Sequence, residues 1–160
     1  MSPALQDRPD VEVFSEIGVI EHHARMAVSR NLPEGMNYAH YEVLSHLVRH
    51  GDGQTPAELA QALLMSKAAI TGVLQKMAAG GQVCVLADVD DRRKKRVRVT
   101  RAGLDAYNYV LKTIKWKTDA LRSAFTEQEF REALPFLRAL RAFLQDVSST
   151  KGAPEAAYHP

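Results

Sequence analysis

The spacing of apolar residues changes abruptly after Gly80-Gly81, and this change restricts the possible folds more than any other feature of the sequence. Before it, apolar residues recur every three or four positions, which predicts helices. After it, residues 82–86 and 96–99 predict two strands, the second with valines on one face and arginines on the other. The charged residues 88–95 between them predict a hairpin loop.

Two short helices joined by a tight turn are predicted immediately before this change. Thr55, Pro56 and Glu58 form a strong helix start, because threonine caps the helix, proline suits its first position and glutamate completes a capping box. After a turn, Ser66 caps a second helix over residues 67–79. Two such helices followed by a β-hairpin are typical of a winged helix-turn-helix.

Two further helices are predicted before this unit. Apolar residues at helical spacing cover residues 11–30 and place Ile20 with the others on one face of a helix. Asn37 is a suitable cap for a helix over residues 38–50, with Val48 among its inward residues. The sequence therefore predicts a mainly α fold with a small β-hairpin wing.

Two long helices are predicted after the hairpin. Thr100 caps the first, and a capping box at Thr126 opens the second, in which Pro135 should kink the helix or remove a hydrogen bond. Apolar residues occupy two sides of the first helix, one formed by Leu104, Tyr107, Leu111, Ile114 and Leu121 and the other by Tyr109 and Trp116. A helix that is apolar on two sides is usually buried on two sides, which favours a dimer.

Composition excludes several classes of protein. The 160 residues are 46% hydrophobic and 25% charged, which suffices for a core without disulfides or metal. Cys84 is the single cysteine, so no intramolecular disulfide forms. The first residues do not resemble a secretory signal, and no window approaches the ~18 apolar residues of a membrane span. We therefore expect a cytoplasmic protein that is not associated with a membrane.

The outward face of the helix that follows Ser66 suits the major groove of double-stranded DNA. Its side chains are small, polar or basic, with no acid among them: Ser66, Lys67, Ala68, Thr71, Gln75 and Lys76. Gln75 could bond an adenine edge, and the methyl group of Ala68 or Thr71 could touch a thymine methyl. The small residues Ala68 and Gly72 would allow a close approach. The same face also fits an ordinary solvated helix.

The hairpin loop concentrates positive charge. Seven of residues 90–101 are basic and two are acidic. Such cations meet phosphates, and an arginine at the tip can enter the narrow minor groove. Asp91 is expected to fold back onto Arg93 and fix its direction as a charge-assisted pair. The candidate DNA contacts of the loop are Arg92, Arg93, Lys94 and Lys95.

At these residues the chain resembles the MarR family of winged helix-turn-helix transcriptional regulators. Asp91 and Arg93 match the Asp-x-Arg pair of that family's wing, and Thr100 and Gly103 match the start of its long helix. At Gly72 the sequence departs from the family, in which this position is often polar or basic. The resemblance covers most of the chain.

The resemblance implies a homodimer whose first, long and last helices interlock. Such a dimer presents two recognition helices to a pseudo-palindromic operator with half-sites ~34 Å apart, and it would act as a repressor. Residues 36–100 would then form the winged helix-turn-helix DNA-binding domain, and residues 11–34 and 101–148 the helical dimerisation region. Residues 1–10 and 149–160 are expected to be disordered tails.

The resemblance also implies a small aromatic or anionic effector that binds between the dimer helices and the DNA-binding lobe. A histidine could bond a carboxylate or phenol, and aromatic side chains could form the walls of the site. The candidates are His23, Met26, His40, Tyr41, Tyr109 and Trp116. In the alternative interpretation, these residues pack at a subunit seam and bind no effector.

Other functions have weaker support in the sequence. Cys84 suggests a redox-sensing regulator, but it lies between two valines of a predicted strand, and a buried strand thiol is normally inert. A winged domain that binds protein instead of DNA is a further alternative. No enzyme, metal or cofactor is expected. The serines show no nucleophile elbow, no glycine-rich phosphate loop is present, and adjacent His22 and His23 diverge by about 100° on a helix.

Overall fold

The computed structural model describes residues 8–149, which form six helices and two strands. In chain order these elements are α1 (Pro9–Ser29), α2 (Tyr38–His50), α3 (Pro56–Ala62), α4 (Lys67–Ala79), β1 (Val83–Ala87), β2 (Lys95–Val99), α5 (Arg101–Ala124) and α6 (Glu127–Ser149). The predicted mainly α fold with a β-hairpin wing is therefore confirmed. Most of the two predicted tails lies outside the described residues, although α1 already begins at Pro9 and α6 extends to Ser149.

Side-chain caps fix where the helices of the helix-turn-helix begin. The Thr55 hydroxyl accepts the N–H of Glu58 at 3.2 Å, and the Glu58 carboxylate accepts the N–H of Thr55 at 2.7 Å. The Ser66 hydroxyl accepts the N–H of Ala69 at 3.1 Å. Each cap satisfies a backbone donor that has no partner within its own helix. The capping residues predicted for α3 and α4 are thus confirmed.

The wing is bonded along both edges of β2. On one edge, β2 pairs antiparallel with β1, so that Val97 lies opposite Val85. On the other edge, the N–H of Val97 donates to the carbonyl of Gln54 at 2.8 Å, and the N–H of Gly53 donates to the carbonyl of Val97 at 3.0 Å. Gly53 has a φ of 78°, which favours glycine. The loop between α2 and α3 therefore acts as a third, very short strand of the wing.

The core lies between α2, α3, α4, the strands and the first half of α5. Its largest fully buried side chains are Leu44, Leu47, Leu59, Ile70, Met77, Val43, Val97 and Val110. The inward position predicted for Val48 is wrong, because its side chain is exposed. Ile20, on the apolar face predicted for α1, is also exposed within the described chain. Within the described chain α1 buries Val28 alone, and Val48 lies at the edge of the α2 face that carries Leu44 and Leu47.

Among the described helices, none is by itself long and apolar enough to cross a membrane. Taken together, α3 and α4 meet the length and composition requirement across a bend of 115°. The apolar faces of both helices are buried in the core.

The first turn of α5 is locked to the turn between α4 and β1. The Thr100 hydroxyl donates to the carbonyl of Gly81 at 2.5 Å and accepts the N–H of Gly103 at 3.1 Å. The N–H of Thr100 donates to the carbonyl of Gln82 at 3.1 Å. A Cβ atom on Gly103 would overlap this same carbonyl, so the two backbones can approach this closely only with glycine here.

This close approach decides which face of α5 is buried. Gly103, Tyr107 and Val110 are buried, whereas Leu104 and Leu111 remain more than one third exposed. Of the apolar side predicted from the sequence, Tyr107 is therefore buried within the described chain and the two leucines are not. Hydrophobic spacing alone could not show which residues of α5 are buried, because the position of the helix is set by Gly103, which has no side chain.

The described chain divides into two compact units within α5, the first ending at Lys115 and the second beginning at Trp116. In the second unit, the Glu129 carboxylate accepts the N–H of Thr126 at 2.7 Å, which confirms the predicted capping box of α6. The helix continues across Pro135, which has no N–H to donate.

One half of α6 is apolar, yet no residue of this helix is buried within the described chain. The large exposed side chains of this half are Phe130, Leu134, Phe136, Leu137, Phe143, Leu144 and Val147. A helix with so wide an apolar face needs a partner surface.

His40 is a buried polar residue of the core, with 4% of its surface exposed. Its Nδ1 accepts the N–H of Asn37 at 3.4 Å as part of the α2 capping box. A neutral ring therefore carries its proton on Nε2, which is buried without a hydrogen-bond partner in the described part of the chain. Burial, and secondarily the charge of Lys76, lowers the pKa of His40 below its usual value.

We expect Gly103→Ala to destabilise the protein by about 1–3 kcal/mol, because the added methyl group must displace the backbone at Gln82. Gly72→Ala is the matched control, since a Cβ there would meet nothing within 4 Å. It should stabilise the helix by about 0.5–1 kcal/mol. Urea unfolding of the two variants checks the opposite signs, and a Gly103→Ala variant as stable as the parent would contradict the docking argument.

We expect the free energy of unfolding to decrease as the pH falls from about 6.5 towards the lowered pKa of His40, because the unfolded chain then binds the proton more readily than the folded chain. The contribution is fully present above about pH 6.5. His40→Gln retains a capping-box side chain and removes this titration. The measurement compares unfolding at pH 7.5 and 5.5 with exposed His23→Gln as control. Equal pH dependence in parent and His40→Gln protein would contradict the expectation.

Candidate nucleic-acid interface

α4 has one buried face and one exposed face. Ile70, Leu74 and Met77 are buried in the core and hold the helix in place. The six predicted outward residues are all exposed: Ser66, Lys67, Ala68, Thr71, Gln75 and Lys76. The exposed face thus presents two lysines and no acid to a ligand.

The side chains of this face differ in what they can offer to a ligand. The Thr71 hydroxyl donates to the carbonyl of Lys67 at 2.7 Å, so its proton is already used within the helix. Gln75 makes no hydrogen bond within the described residues, so both groups of its amide are available. Beside Gly72 the space is open, because a Cβ there would meet nothing within 4 Å. This combination can approach a base edge closely and bond to it.

The tip of the wing carries the predicted basic side chains, and all four are exposed: Arg92, Arg93, Lys94 and Lys95. The side chain of Arg93 is 93% exposed. The Asp91 carboxylate accepts the backbone N–H of Arg93 at 3.0 Å and its Nε–H at 3.3 Å. The structure therefore contains the Asp91–Arg93 pair, and the entry of Arg93 into a minor groove stays a prediction.

A second acid at the wing is bound more tightly. The Asp88 carboxylate accepts the backbone N–H groups of Asp90 at 2.9 Å and Asp91 at 3.1 Å, and it accepts the Nε–H of Arg96 at 2.5 Å. The Arg96 guanidinium, helped by the two backbone donors, lowers the pKa of Asp88 to about 2. Sequence analysis missed this pair, because eight residues and a turn separate its members.

The candidate effector residues lie in different settings. His23 and Tyr109 are exposed on α1 and α5, and Met26 is half-buried on α1. Trp116, which belongs to the second unit, is 68% exposed. His40 is buried and takes part in the capping box of α2.

Tyr41, the remaining candidate, belongs to an aromatic cluster. Its ring stacks on Tyr107 with centroids 5.8 Å apart and lies 6.1 Å from the ring of Tyr38. The Arg25 guanidinium lies 4.4 Å from the centroid of Tyr38. Sequence analysis missed Tyr38, Tyr107 and Arg25, although tyrosines three residues apart on one helix are expected to share a face.

A surface cavity of about 350 Å³ adjoins this cluster. Its walls come from α1, α2 and the end of α3, and they include Val28, Tyr38, Tyr41, Glu42, His46 and Arg49. Burial raises the pKa of Glu42, with Arg25 acting in the opposite direction. Apolar, aromatic and charged groups thus meet in one concave site.

Cys84 lies on β1 opposite Arg98, as the predicted strand requires. Its side chain is half-exposed, so the expectation of a buried thiol is wrong. The cause is the short β1, in which Val83 is buried and the residues from Val85 onwards are exposed.

Comparison with known proteins identifies relatives of the winged domain. Residues 34–94 match the sequence profile described as the MarR family. A curated relative, the transcriptional activatory protein BadR of Rhodopseudomonas palustris, is 33% identical over 72 residues. This match covers 44% of the chain and 41% of BadR, so the chain aligns with less than half of that relative's length.

Solved structures share the fold. The organohalide-sensing transcriptional regulator RdhR-CbdbA1625 in its 2,4-dichlorophenol-bound form has a TM-score of 0.73 at 16% identity, covering 100% of this chain and 95% of that one. BpsR of Bordetella bronchiseptica, whose DNA binding is regulated by 6-hydroxynicotinic acid, has a TM-score of 0.65 at 19% identity, covering 81% and 98%.

The wing residues, the profile match and the fold agree with one another. The winged part of the chain, residues 34–94, is therefore similar in sequence to the MarR family of transcriptional regulators, and the described residues share the fold of solved transcriptional regulators.

Proposed function

We propose that the chain is a sequence-specific regulator of transcription. Residues of α4 would contact the bases of an operator, and the wing would contact the phosphates of the DNA backbone. The observation that carries this proposal is the exposed, acid-free face of α4, which is held in place by the buried residues behind it. Gln75 and the open space at Gly72 suit base readout, and the lysines suit phosphates. The four exposed cations of the wing tip add further phosphate contacts.

The same proposal includes a homodimer. The apolar half of α6 has no cover among the described residues, and α1 also carries the exposed apolar side chains Val11, Phe14 and Ile20. A second copy of the chain would bury both surfaces. Residues 11–34 and 101–148 would then form the dimerisation region and residues 36–100 the DNA-binding domain. A two-fold dimer calls for a pseudo-palindromic operator.

We further propose that an aromatic acid or phenol regulates DNA binding from the cavity beside Tyr41. The rings of Tyr38 and Tyr41 offer stacking surfaces, and Arg49 offers a cation for a carboxylate. Two proteins of the same fold respond to aromatic compounds, since RdhR-CbdbA1625 binds 2,4-dichlorophenol and 6-hydroxynicotinic acid regulates DNA binding by BpsR. The regulator would repress by occupying the operator. An effector would shift the equilibrium between a DNA-binding conformation and a non-binding one only by its differential affinity for the two conformations.

Selection from random duplex pools at two salt concentrations should enrich a palindrome bound by two chains. On this duplex, Arg93→Ala should lower the slope of log affinity against log salt by about 0.9, as expected for one lost phosphate contact. Gln75→Ala should relax base choice at one position by about 1–3 kcal/mol.

Lys112→Ala removes an exposed charge of α5 that is not among the proposed DNA contacts, and it serves as the control for Arg93→Ala. Equal affinity of the parent for all sequences would reject sequence-specific readout. Enrichment of an asymmetric site bound by one chain would reject the dimer.

For the effector site, benzoate should release the parent protein from its selected duplex, and Arg49→Gln should weaken this response about tenfold by removing a charge-assisted hydrogen bond. Release by phenol should be unaffected by the same substitution, because phenol carries no carboxylate. Arg30→Gln, an exposed arginine at the end of α1, is the control. A benzoate response that is identical in parent and Arg49→Gln protein would contradict the assignment of this cavity.

A further inference from the structure

Arg96 differs from the other cations of the wing. Its side chain is 35% exposed, against 93% for Arg93. Its guanidinium is engaged in three directions, with Nε donating to the Asp88 carboxylate at 2.5 Å and Nη1 donating to the carbonyl of Gly53 at 3.2 Å. The same Nη1 lies 3.8 Å from the carboxylate of Glu58. Arg96 is thus turned towards the protein.

The three partners of Arg96 belong to three different parts of the domain. Asp88 follows β1 and is itself held by the N–H groups of Asp90 and Asp91. Gly53 lies in the loop that pairs with β2. Glu58 lies in the first turn of α3, where it accepts the N–H of Thr55. One planar side chain therefore connects the base of the wing with the loop and the helix that precede α4.

We infer that Arg96 is a positioning residue, which fixes the wing against the helix-turn-helix so that the exposed cations of the tip meet DNA. Arg96 itself does not contact phosphate. This inference rests on the proposed DNA-binding function, and it adds a division of labour within one basic run. The side chains that offer positive charge to DNA are Arg92, Arg93, Lys94 and Lys95. The Arg96 guanidinium instead pairs with carboxylates of the protein itself.

Charge compensation supports this assignment. The carboxylates of Asp88 and Glu58 both face the Arg96 guanidinium, so little net attraction remains for a phosphate. The pKa of Asp88, lowered to about 2, keeps the pair ionised at every pH at which DNA binding is measured. Asp88 and Arg96 therefore form an ion pair that joins β2 to the loop after β1.

The test is Asp88→Asn, for which the two roles of Arg96 predict opposite signs. Asparagine still accepts the N–H groups of Asp90 and Asp91 through its oxygen, but its NH₂ group then faces the Arg96 donor. With a positioning role, affinity for the selected duplex falls about tenfold with an unchanged salt slope. With a phosphate-contacting role, the loss of a nearby negative charge raises affinity, which would overturn the inference.

Two further variants sharpen the result. Asp90→Asn removes the same charge two residues away without removing a hydrogen bond to Arg96, and it should raise affinity about twofold. Arg96→Lys keeps the positive charge but cannot reach Asp88 and Gly53 together, so it should lose about as much affinity as Asp88→Asn. Full affinity in Arg96→Lys would overturn the inference, since charge alone would then suffice.

A readout without DNA separates this inference from the proposed function. Hydrogen exchange at the N–H groups of Gly53 and Val97, which join the loop to β2, should become faster in Asp88→Asn and Arg96→Lys but not in Asp90→Asn. Unchanged exchange would overturn the anchoring role. A parent protein that binds no DNA, with accelerated exchange in the two variants, would reject the proposed function while supporting the anchor.

Discussion

The backbone contact between the first turn of α5 and the turn after α4 is the constraint on which the arrangement of the first unit depends. Thr100 bonds to Gly81 and caps Gly103, and Gly103 lies against Gln82 with no room for a side chain. The end of α4, the start of β1 and the start of α5 are thereby held at one point. This junction therefore helps to hold the exposed face of α4 in a fixed relation to the wing, together with the contacts of Arg96.

Local signals were sufficient to predict the elements that surround this junction. The bounds of α2 and α4 agree with the prediction at both ends, because caps at Asn37 and Ser66 and glycines after each helix mark them. Strand β1 begins and ends one residue later than predicted, and β2 begins one residue earlier with its predicted end unchanged. The outward residues of α4 followed from helical spacing, since its inner face is continuous and apolar. Their contact with DNA rests on chemistry that no pattern in one sequence can supply.

The remaining differences share one cause, which is contact between residues distant in sequence. The buried face of α5 depends on a glycine docking against Gln82, so the apolar side that includes Leu104 and Leu111 did not indicate which residues are buried. In the sequence, Arg96 is one cation of a basic run, and only the fold brings it next to Gly53 and Glu58. Among the effector candidates, Tyr41 alone lines the cavity between α1 and α2. The others could not be ruled out from the sequence, because helical spacing does not reveal which helices pack together.

If the proposed homodimer covers the apolar half of α6, the amount of protein becomes a variable in its own regulation. A surface that is buried only on association ties the folded state to the law of mass action, so its population rises steeply with total concentration. With a second copy as the cover, as proposed here, dilution during cell growth would empty an operator sooner than one-to-one binding would. The abundance of the chain would then be a second input to the promoter, alongside any small molecule.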